Sequence, residues 1–313
     1  MKKNQIRYSL RQLRYFVAAA ETLSFTAAAK NLHVSQPSVS TALSDIEELF
    51  GVQLFLRHHA QGLSLTQAGH SLLRDSRMLL RHAEELQDEA FELGNKLRGN
   101  VTFGCLVSLA PQVVPILMRD FQSTYPDIQL NIVEADQKVL IDQLFDGSLE
   151  IALSYNLQAP PEIEFIPLAN LPPYALLPLG HPLVSKKNIK ISDLAKYPYV
   201  LLDLPLSREY FLSIFNSENL TPNISYRSTS SEVMRGIVAN GGGVSLLNFP
   251  LGNLHAIDGQ PFTVKPLAKG YKELTLGLMR IKQPLERRAI QHFSQFCREN
   301  IPTLASWKKT EET

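Results

Sequence analysis

LSFTAAAKNLHVSQPSVSTALSDIEELF, at residues 23–50, is the stretch that decides the fold of the N-terminal part of the chain. Ser24 can cap a helix that runs to Leu32, and Ser35 can cap the next one, because a serine hydroxyl accepts free N–H groups of a first turn. Pro37 is tolerated in that first turn. In the second of these helices the apolar residues recur every three or four positions: Val39, Leu43, Ile46 and Phe50. The sequence therefore predicts two helices joined by a short turn, the second with one buried and one polar face.

The flanking segments extend this pair into a small domain. Ser9 and Gln12 form a capping-box pattern at the start of an earlier helix. Two short apolar pieces, residues 52–55 and 63–65, surround basic residues and predict a β-hairpin with a basic tip, at Arg57, His58 and His59. Residues 1–66, called the head below, are thus expected to form three helices followed by a hairpin.

A long helix is predicted from Thr66 to Leu97. Steps of four and three residues alternate along it, and this regular 3.5-residue period is typical of a coiled-coil seam. A long helix lying on its own domain is the alternative; the polar flanking positions favour a two-helix dimer. The seam consists of Leu72, Ser76, Leu79, Ala83, Leu86, Ala90, Leu93 and Leu97.

From about residue 100 the pattern changes to alternating strands and helices. Such alternation predicts an α/β fold with parallel strands. It occurs in two similar sets, which indicates two lobes with a cleft between them. The strand at 274–280 and a helix at 285–300 are expected to return to the first lobe.

The distribution of charge along the chain indicates which kind of partner it binds. The 313 residues carry a net charge of +1, whereas the head holds seven Lys/Arg against four Asp/Glu and is locally basic. A basic head on a neutral body favours a nucleic-acid partner for the head alone. The two cysteines, Cys105 and Cys297, are too few for a disulfide framework or a four-cysteine zinc site and indicate a cytosolic protein. No apolar run is long enough to span a membrane, and Arg11 and Arg14 interrupt any export signal.

Motifs for chemistry are missing from the sequence. His58 and His59 have no acidic partners at metal-binding spacing. Gly241–Gly243 lacks the Lys-Ser/Thr of a phosphate-binding loop, and we expect it to form a tight turn between a helix and a strand. No nucleophile with a spaced base, and no catalytic pair of carboxylates, stands out. We therefore expect no catalytic residue, metal or cofactor.

The pieces LRQLRYF, LSFTAAAKNL, VSQPSVS, IEELFGVQLFLR and LSLTQAG, at residues 10–69, follow one another in the order and spacing of a known family. In these motifs the chain resembles the LysR-type transcriptional regulators, and RGNVTFGCL and VANGGGVSLLN extend a less specific likeness over nearly the whole chain. The resemblance implies an α/β protein with an all-α-rich N-terminal winged helix-turn-helix, a long linker helix and a two-lobed effector domain like periplasmic binding proteins. The implied bounds are 1–66 for the DNA-binding domain, 67–97 for the dimerisation helix, 98–168 with 270–304 for lobe I, and 169–269 for lobe II.

The resemblance also implies which side chains meet double-stranded DNA. Carried over by position, Gln36, Pro37, Ser40 and Thr41 face the bases, and a glutamine can pair with adenine. Thr26, Ser35 and Ser38 match positions that contact phosphates, and Arg57 is expected in the wing, at the backbone or minor groove. Many family members carry arginine where this chain has Thr41, so we expect a different preference at that base pair. In this placement Glu47 and Glu48 point away from the groove.

A small-molecule effector is expected between the two lobes, because ligands of open α/β folds sit at the carboxyl ends of strands. Ser108 and Ser207 precede predicted helices, where free N–H groups favour anions; that both are structural N-caps is the equal alternative. We favour a small carboxylate, with neutral and aromatic ligands left open. The candidate effector residues are Ser108, Asp136, Tyr155, Asn156, Ser207, Tyr210, Asn248 and Phe249.

These features together predict a ligand-responsive, sequence-specific transcriptional regulator rather than an enzyme. The resemblance implies self-association to a dimer or tetramer and contact with RNA polymerase in the cytoplasm. A solute-binding protein or small-molecule enzyme with a helical N-terminal module is the competing interpretation. It would explain the two lobes and would leave the helix-turn-helix, the wing and the heptad seam unexplained.

Overall fold

The computed structural model describes residues 6–58, 62–92, 98–268, 270–282 and 287–306. The chain divides into two compact units. The first comprises the residues up to 96 together with 145–148, and the second comprises 97–144 and the residues from 149 onward.

Three helices open the first unit: α1 (Leu10–Thr22), α2 (Phe25–Asn31) and α3 (Gln36–Phe50). The predicted caps are confirmed. Ser9 and Gln12 form the reciprocal capping box, the Ser24 hydroxyl accepts the N–H of Ala27, and the Ser35 hydroxyl accepts the N–H of Ser38. These local hydrogen bonds fix where each helix begins and hence which residues form its exposed first turn.

One apolar core holds the three helices and the hairpin together. Val39, Leu43 and Ile46 of α3 are buried in it, as their spacing predicts. Phe50 was predicted on the same buried face and is instead 40% exposed. It is the last residue of α3, so the helix ends before its ring reaches the core, and the ring packs edge-on against Tyr8 at 5.7 Å.

The hairpin pairs β1 (Phe55–His58) with β2 (Gly62–Leu65) in antiparallel register. Its predicted basic tip includes His59, which lies outside the described residues. Phe55 anchors the hairpin, because its ring contacts Phe16 and Phe25 edge-on at 5.6 and 5.5 Å. The hairpin is thereby fixed beside α2 and α1.

The long helix α4 spans Gln67–Glu92, and the predicted positions Leu93 and Leu97 lie outside the described residues. Its first turns face the head: Leu73 and Ser76 are buried there, and Arg77 forms an ion pair with Glu21 of α1 at 3.0 Å. Further along, Leu79 is 37% and Leu86 70% exposed. Part of the predicted seam therefore packs on the chain's own head, and part of it faces solvent.

In the second unit the first sheet has the order β4-β3-β5-β12-β6. Its strands are β3 (Gly99–Leu106), β4 (Ile128–Ala135), β5 (Ile151–Tyr155), β6 (Ile163–Leu171) and β12 (Leu274–Ile281). Three helices accompany it: α5 (Ala110–Thr124), α6 (Gln137–Phe145) and α10 (Arg288–Leu304). We call this part lobe I.

The remaining strands, β7 to β11, form lobe II. β7 (Tyr174–Pro178) lies between β10 (Ser245–Leu247) and β11 (Phe262–Pro266), and β8 (Pro198–Leu202) pairs with β9 (Asn223–Ser228). The helices are a 3-10 turn at Pro182–Ser185, α7 (Ile191–Leu194), α8 (Ser207–Asn216) and α9 (Ser231–Ala239).

A tight glycine turn joins the two small sheets of lobe II. Gly243 has φ +145, and a Cβ there would stand 2.4 Å from the carbonyl oxygen of Pro198. Only glycine fits this approach, which brings Val244 alongside Tyr199 in a parallel bridge. The predicted tight turn at Gly241–Gly243 is thus confirmed.

The expectation of parallel strands is correct only in part. β3 pairs in parallel with β4 and β5, but β12 runs antiparallel to both β5 and β6, and β7 is antiparallel to both of its neighbours. β12 re-enters the first sheet after the chain has passed through lobe II, so its direction is set by that crossover rather than by a βαβ unit. None of the helices in the described part of the chain is long and apolar enough to cross a membrane.

Candidate functional site

The polar face of α3 is exposed along its first two turns. Val39, Ala42 and Leu43 point into the head core. On the other side of the helix Gln36, Pro37 and Thr41 are exposed and Ser40 is half-buried. The predicted base-facing and phosphate-facing residues of this helix therefore share one accessible surface with no acidic residue in its first turn. That surface comprises Ser35, Gln36, Pro37, Ser38, Ser40 and Thr41.

Ser35 and Ser38 hold the start of this surface in place. The Ser35 hydroxyl lies 3.3 Å from the N–H of Ser38 and 2.7 Å from the Ser38 hydroxyl. Both residues remain exposed, so capping and contact with an external phosphate are compatible roles. Thr26 is likewise exposed, in the first turn of α2.

Arg57 lies in β1 opposite Leu63, so its backbone belongs to the hairpin as predicted. The sequence did not foresee how the hairpin is tied to α3. The Glu47 carboxylate accepts the backbone N–H groups of Leu54 and Phe55 at 2.7 and 3.2 Å. Glu47 thus fixes the segment leading into the hairpin against α3, consistent with its predicted direction away from the base-facing surface.

A second candidate site lies between the lobes of the second unit. It is a cavity of about 20 Å³, room for about one water molecule. Strand ends and helix starts from both lobes line it. Of the eight predicted effector residues, five line this cavity: Ser108, Tyr155, Ser207, Asn248 and Phe249.

Three predicted residues do not line the cavity. The Asp136 carboxylate accepts the N–H groups of Lys138 and Val139 at 2.9 and 3.2 Å and so caps α6. Asn156 is exposed just beyond β5. Tyr210 is buried, and its hydroxyl accepts a hydrogen bond from Asn248, which does line the cavity.

The orientation of the Asn248 side chain is fixed by its amide nitrogen. Nδ2 donates to the carbonyl oxygen of Leu171 at 2.9 Å and to the Tyr210 hydroxyl at 3.0 Å. That hydroxyl in turn donates to the carbonyl oxygen of Lys272 at 2.6 Å. Both donors of the amide are used, so its oxygen Oδ1 is the group left for the cavity. Oδ1 is buried and has no hydrogen-bond partner among the described residues.

Sequence reasoning missed the charged pair of the cavity. Arg235 of α9 lines it, is 7% exposed, and lies 2.6 Å from the Glu232 carboxylate, which lines it as well. Their three-residue spacing on a predicted helix was readable as a local ion pair. Nothing in that spacing reveals that the pair faces the other lobe.

The start of α8 has an unusual backbone. Leu206 has φ 66 and ψ −42, a region that residues with a Cβ rarely adopt. The N–H of Ser207 bonds back to the carbonyl oxygen of Pro205 at 2.8 Å, which makes Leu206 the centre of a strained γ-turn. Neither Ser207 nor Ser108 is a helix N-cap, because α8 and α5 begin after Leu206 and Leu109 and neither helix has a side-chain cap. The N-cap interpretation of these two serines is therefore wrong.

Burial controls the protonation of the groups around the cavity. Loss of water raises the pKa of Tyr210 to about 12 and raises the pKa of Tyr155 still further. Burial likewise raises the pKa of both thiols, Cys105 and Cys297. At physiological pH these four side chains are therefore neutral. Among the described residues, no three His, Cys, Asp or Glu side chains are grouped as a metal ion requires.

Models of two protein families match the two parts of the chain. Residues 10–70 match the model of the bacterial regulatory helix-turn-helix protein, lysR family, and residues 94–302 match the LysR substrate binding domain. The Hca operon transcriptional activator HcaR of Escherichia coli (strain K12) is 30% identical over 304 residues, with 95% of this chain and 99% of the relative covered.

Two further relatives give the same result. The hydrogen peroxide-inducible genes activator of Pectobacterium carotovorum is 29% identical, with 76% of this chain and 79% of the relative covered. The solved structure of full-length OxyR from Pseudomonas aeruginosa superposes with a TM-score of 0.80 at 25% identity, covering 99% of this chain and all of the other. The chain therefore belongs to the LysR family of DNA-binding transcriptional regulators, with a helix-turn-helix domain at its N-terminus and a substrate-binding domain for an effector after it.

Proposed function

We propose that this regulator reads its operator with the exposed face of α3 and answers to a small molecule held between its lobes. The observation that supports DNA reading most directly is that six short polar or proline residues form one accessible surface on the reverse of a buried helix face. Side chains of this size let a helix approach the floor of the major groove. The proposed base-facing residues are Gln36, Pro37, Ser40 and Thr41, with Thr26, Ser35, Ser38 and Arg57 at the backbone.

Genome-wide occupancy of the tagged protein, followed by footprinting of the strongest site with purified protein, tests this proposal. We expect protection of dyad half-sites, because a paired regulator reads a two-fold symmetric operator. Binding must also weaken steeply with salt, because several phosphate contacts release counterions. A non-specific, salt-erased interaction with no footprint would contradict the proposal and favour a solute-binding or catalytic role for the two lobes.

We further propose that α4 pairs two chains, with tetramers formed through additional contacts of the effector domains. The exposed Leu79 and Leu86 support pairing, since apolar side chains at seam positions gain stability by packing against a second helix. In this scheme residues 1–66 bind DNA, 67–97 dimerise, and 98–168 with 270–304 and 169–269 form the two lobes. Such an assembly would place paired heads on the dyad and act on transcription through contact with RNA polymerase in the cytoplasm.

Effector binding at the cavity is supported by the buried, unpartnered polar atoms of its described lining, Nε of Arg235 and Oδ1 of Asn248. Buried polar groups normally have partners, so such atoms in a cavity favour an external one. The proposed contacts are Ser108, Tyr155, Ser207, Asn248 and Phe249. A small carboxylate and a neutral ligand remain the two classes to distinguish.

We propose reversible binding rather than chemistry as the sensing step. One relative is named for its induction by hydrogen peroxide, and a cysteine sensor of peroxide reacts as the thiolate. The two cysteines of this sequence are buried, with pKa values raised by desolvation. Their protonated thiols favour a structural role, which supports a regulatory and non-catalytic protein that senses a ligand by contact.

A further inference from the structure

The charge balance of the cavity between the lobes indicates the class of its ligand; this inference rests on the proposed effector function. Glu232 and Arg235 are the charged residues among the described lining. Their side chains, 26% and 8% exposed, are joined at 2.6 Å. At this distance and degree of burial the carboxylate largely compensates the guanidinium, so the cavity has no net positive charge for an anion.

The remaining donors of Arg235 are also largely occupied. Nη2 donates to the carbonyl oxygens of Asn253 and His255 at 3.1 and 3.3 Å, and the guanidinium lies 5.2 Å from the ring centre of Phe262. Nε is buried without a partner among the described residues. Arg235 therefore keeps one N–H on Nε and one on Nη1. Because both N–H groups of Nη2 are used, it does not offer the two-pronged grip that binds a carboxylate.

On the other wall, Asn248 offers one acceptor. Its Oδ1 is buried, and its Nδ2 is committed to Leu171 and Tyr210. A carboxylate placed against this oxygen would meet a second acceptor and lose solvation without a hydrogen bond in return. The groups of fixed hydrogen-bonding direction are thus the free N–H donors of Arg235 and one acceptor on Asn248, and the lining hydroxyls of Ser108, Tyr155, Ser207 and Ser231 can serve in either role.

The N-termini of α8 and α9 do not provide an anion-binding site either. The N–H groups of Ser207 and Arg208 at α8 bond to the carbonyl oxygens of Pro205 and Leu204 at 2.8 and 2.9 Å. The first turn of α9 carries the acidic residue Glu232. Its carboxylate already complements the helix dipole that would otherwise attract an anion.

We propose that the effector is a small uncharged molecule that accepts a hydrogen bond from Nε of Arg235 and donates one to Oδ1 of Asn248. A carboxamide or a similar neutral group has both functions, whereas a carboxylate at neutral pH only accepts. The cavity of about 20 Å³ has room for a group of about the size of one water molecule, so the part of the ligand held there is its small polar end.

Acetamide and acetate form a matched pair of probes, because they have nearly the same size and shape while acetamide is uncharged and acetate is negatively charged. Each is titrated at pH 7.5 into the full chain, with sodium chloride holding the ionic strength constant, and affinity is read from the rise in Tm. Acetamide should bind the wild-type protein at least about tenfold more tightly than acetate. Glu232→Gln leaves Arg235 without its counter-charge and should reduce that ratio by about tenfold. Glu209→Gln, the same change at an exposed first-turn glutamate paired with Arg208, should leave the ratio unchanged.

Tighter binding of acetate to the wild-type protein would overturn the proposal. Equal affinity for the two probes, or binding of neither, would overturn it as well. So would a Glu209→Gln protein whose ratio of acetamide to acetate affinity changes as much as that of Glu232→Gln. If Glu232→Gln does not fold, the wild-type comparison decides alone. The proposal that the protein is a DNA-binding regulator is tested separately, by footprinting. If the protein protects a dyad but does not prefer acetamide, only the proposed ligand class is refuted. If it prefers acetamide but gives no footprint, only the proposed binding to an operator is refuted.

Discussion

Gln36 is the residue that we propose distinguishes one base pair from another. Its exposed amide can donate and accept together, which matches the edge of adenine in the major groove. Gln36→Ala should therefore cost about 1–3 kcal/mol at one base pair and relax the preference there. The measurement is binding to the footprinted site and to its single-base variants.

Two further variants provide a comparison and a control for the binding measurement on Gln36→Ala. Arg57→Ala should weaken binding to every sequence alike and lower the salt dependence, because a backbone contact carries no base preference. Ser44→Ala, further along α3 and also exposed, should change neither affinity nor preference. A Gln36→Ala protein that keeps the wild-type base preference would show that the proposed placement of α3 is wrong.

Glu47 anchors the segment that leads into the hairpin to α3. Its carboxylate accepts two backbone N–H groups next to the hairpin, and removal would leave both half-buried donors unpaired. Glu47→Ala should lower the free energy of unfolding by about 1–3 kcal/mol in urea denaturation. Glu48→Ala, the same change at an exposed neighbour, should leave it within error of wild type; equal losses in both variants would refute the anchoring role of Glu47.

At the scale of single residues, local chemistry could be predicted and long-range placement could not. Ser24 and Ser35 were predictable as caps because each acts on the N–H group three residues ahead. Asp136 was predicted in the effector site because it follows a strand, but its carboxylate caps α6. Arg235 was overlooked because its burial depends on α9 packing against elements far away in sequence, and periodicity within one helix does not contain that information.

The apolar residues of the long helix α4 lie in two different environments. The early positions Leu73 and Ser76 pack on the head, whereas Leu79 and Leu86 lie exposed farther along. The regular heptad spacing predicted a long helix here, and its seam stays a prediction. It could not tell which part of the seam the chain's own head would cover, because that depends on the angle at which α4 leaves the hairpin.

Pairing through this seam is testable at Leu86, which is 70% exposed and remote from the head core. Leu86→Glu should raise the dimer dissociation constant at least about a hundredfold, since a charge would be buried without a partner in the seam. Sedimentation equilibrium measures the shift, and an unchanged unfolding transition of the head shows that the variant is folded. Glu84→Ala, at an exposed polar position of α4, is the matched control; a Leu86→Glu protein that stays dimeric would exclude α4 as the pairing helix.

Across the whole effector domain, the cavity is connected to the chain segments that join the lobes. Asn248 contacts Leu171 at the end of β6, and through the Tyr210 hydroxyl it reaches Lys272, just before β12. These two segments are where the chain leaves and re-enters lobe I. A ligand bonded to Asn248 is thus two hydrogen bonds away from Leu171 and three away from Lys272. These residues lie in the two crossovers, the segments that a movement of one lobe against the other must bend.

Tyr210→Phe removes the link to Lys272 and keeps the ring. The ligand should still bind, but its effect on DNA affinity should shrink, because ligand and DNA are coupled only as far as the ligand distinguishes two arrangements of the lobes. The ratio of operator affinities with and without ligand measures this coupling, and we expect at least about half of its free energy, typically 1–3 kcal/mol in such systems, to be lost. Tyr226→Phe, at a half-exposed tyrosine of β9, should keep the full ratio. If Tyr210→Phe binds ligand and preserves the ratio as well, the signal reaches the heads by a route other than the Asn248–Tyr210 hydrogen bonds.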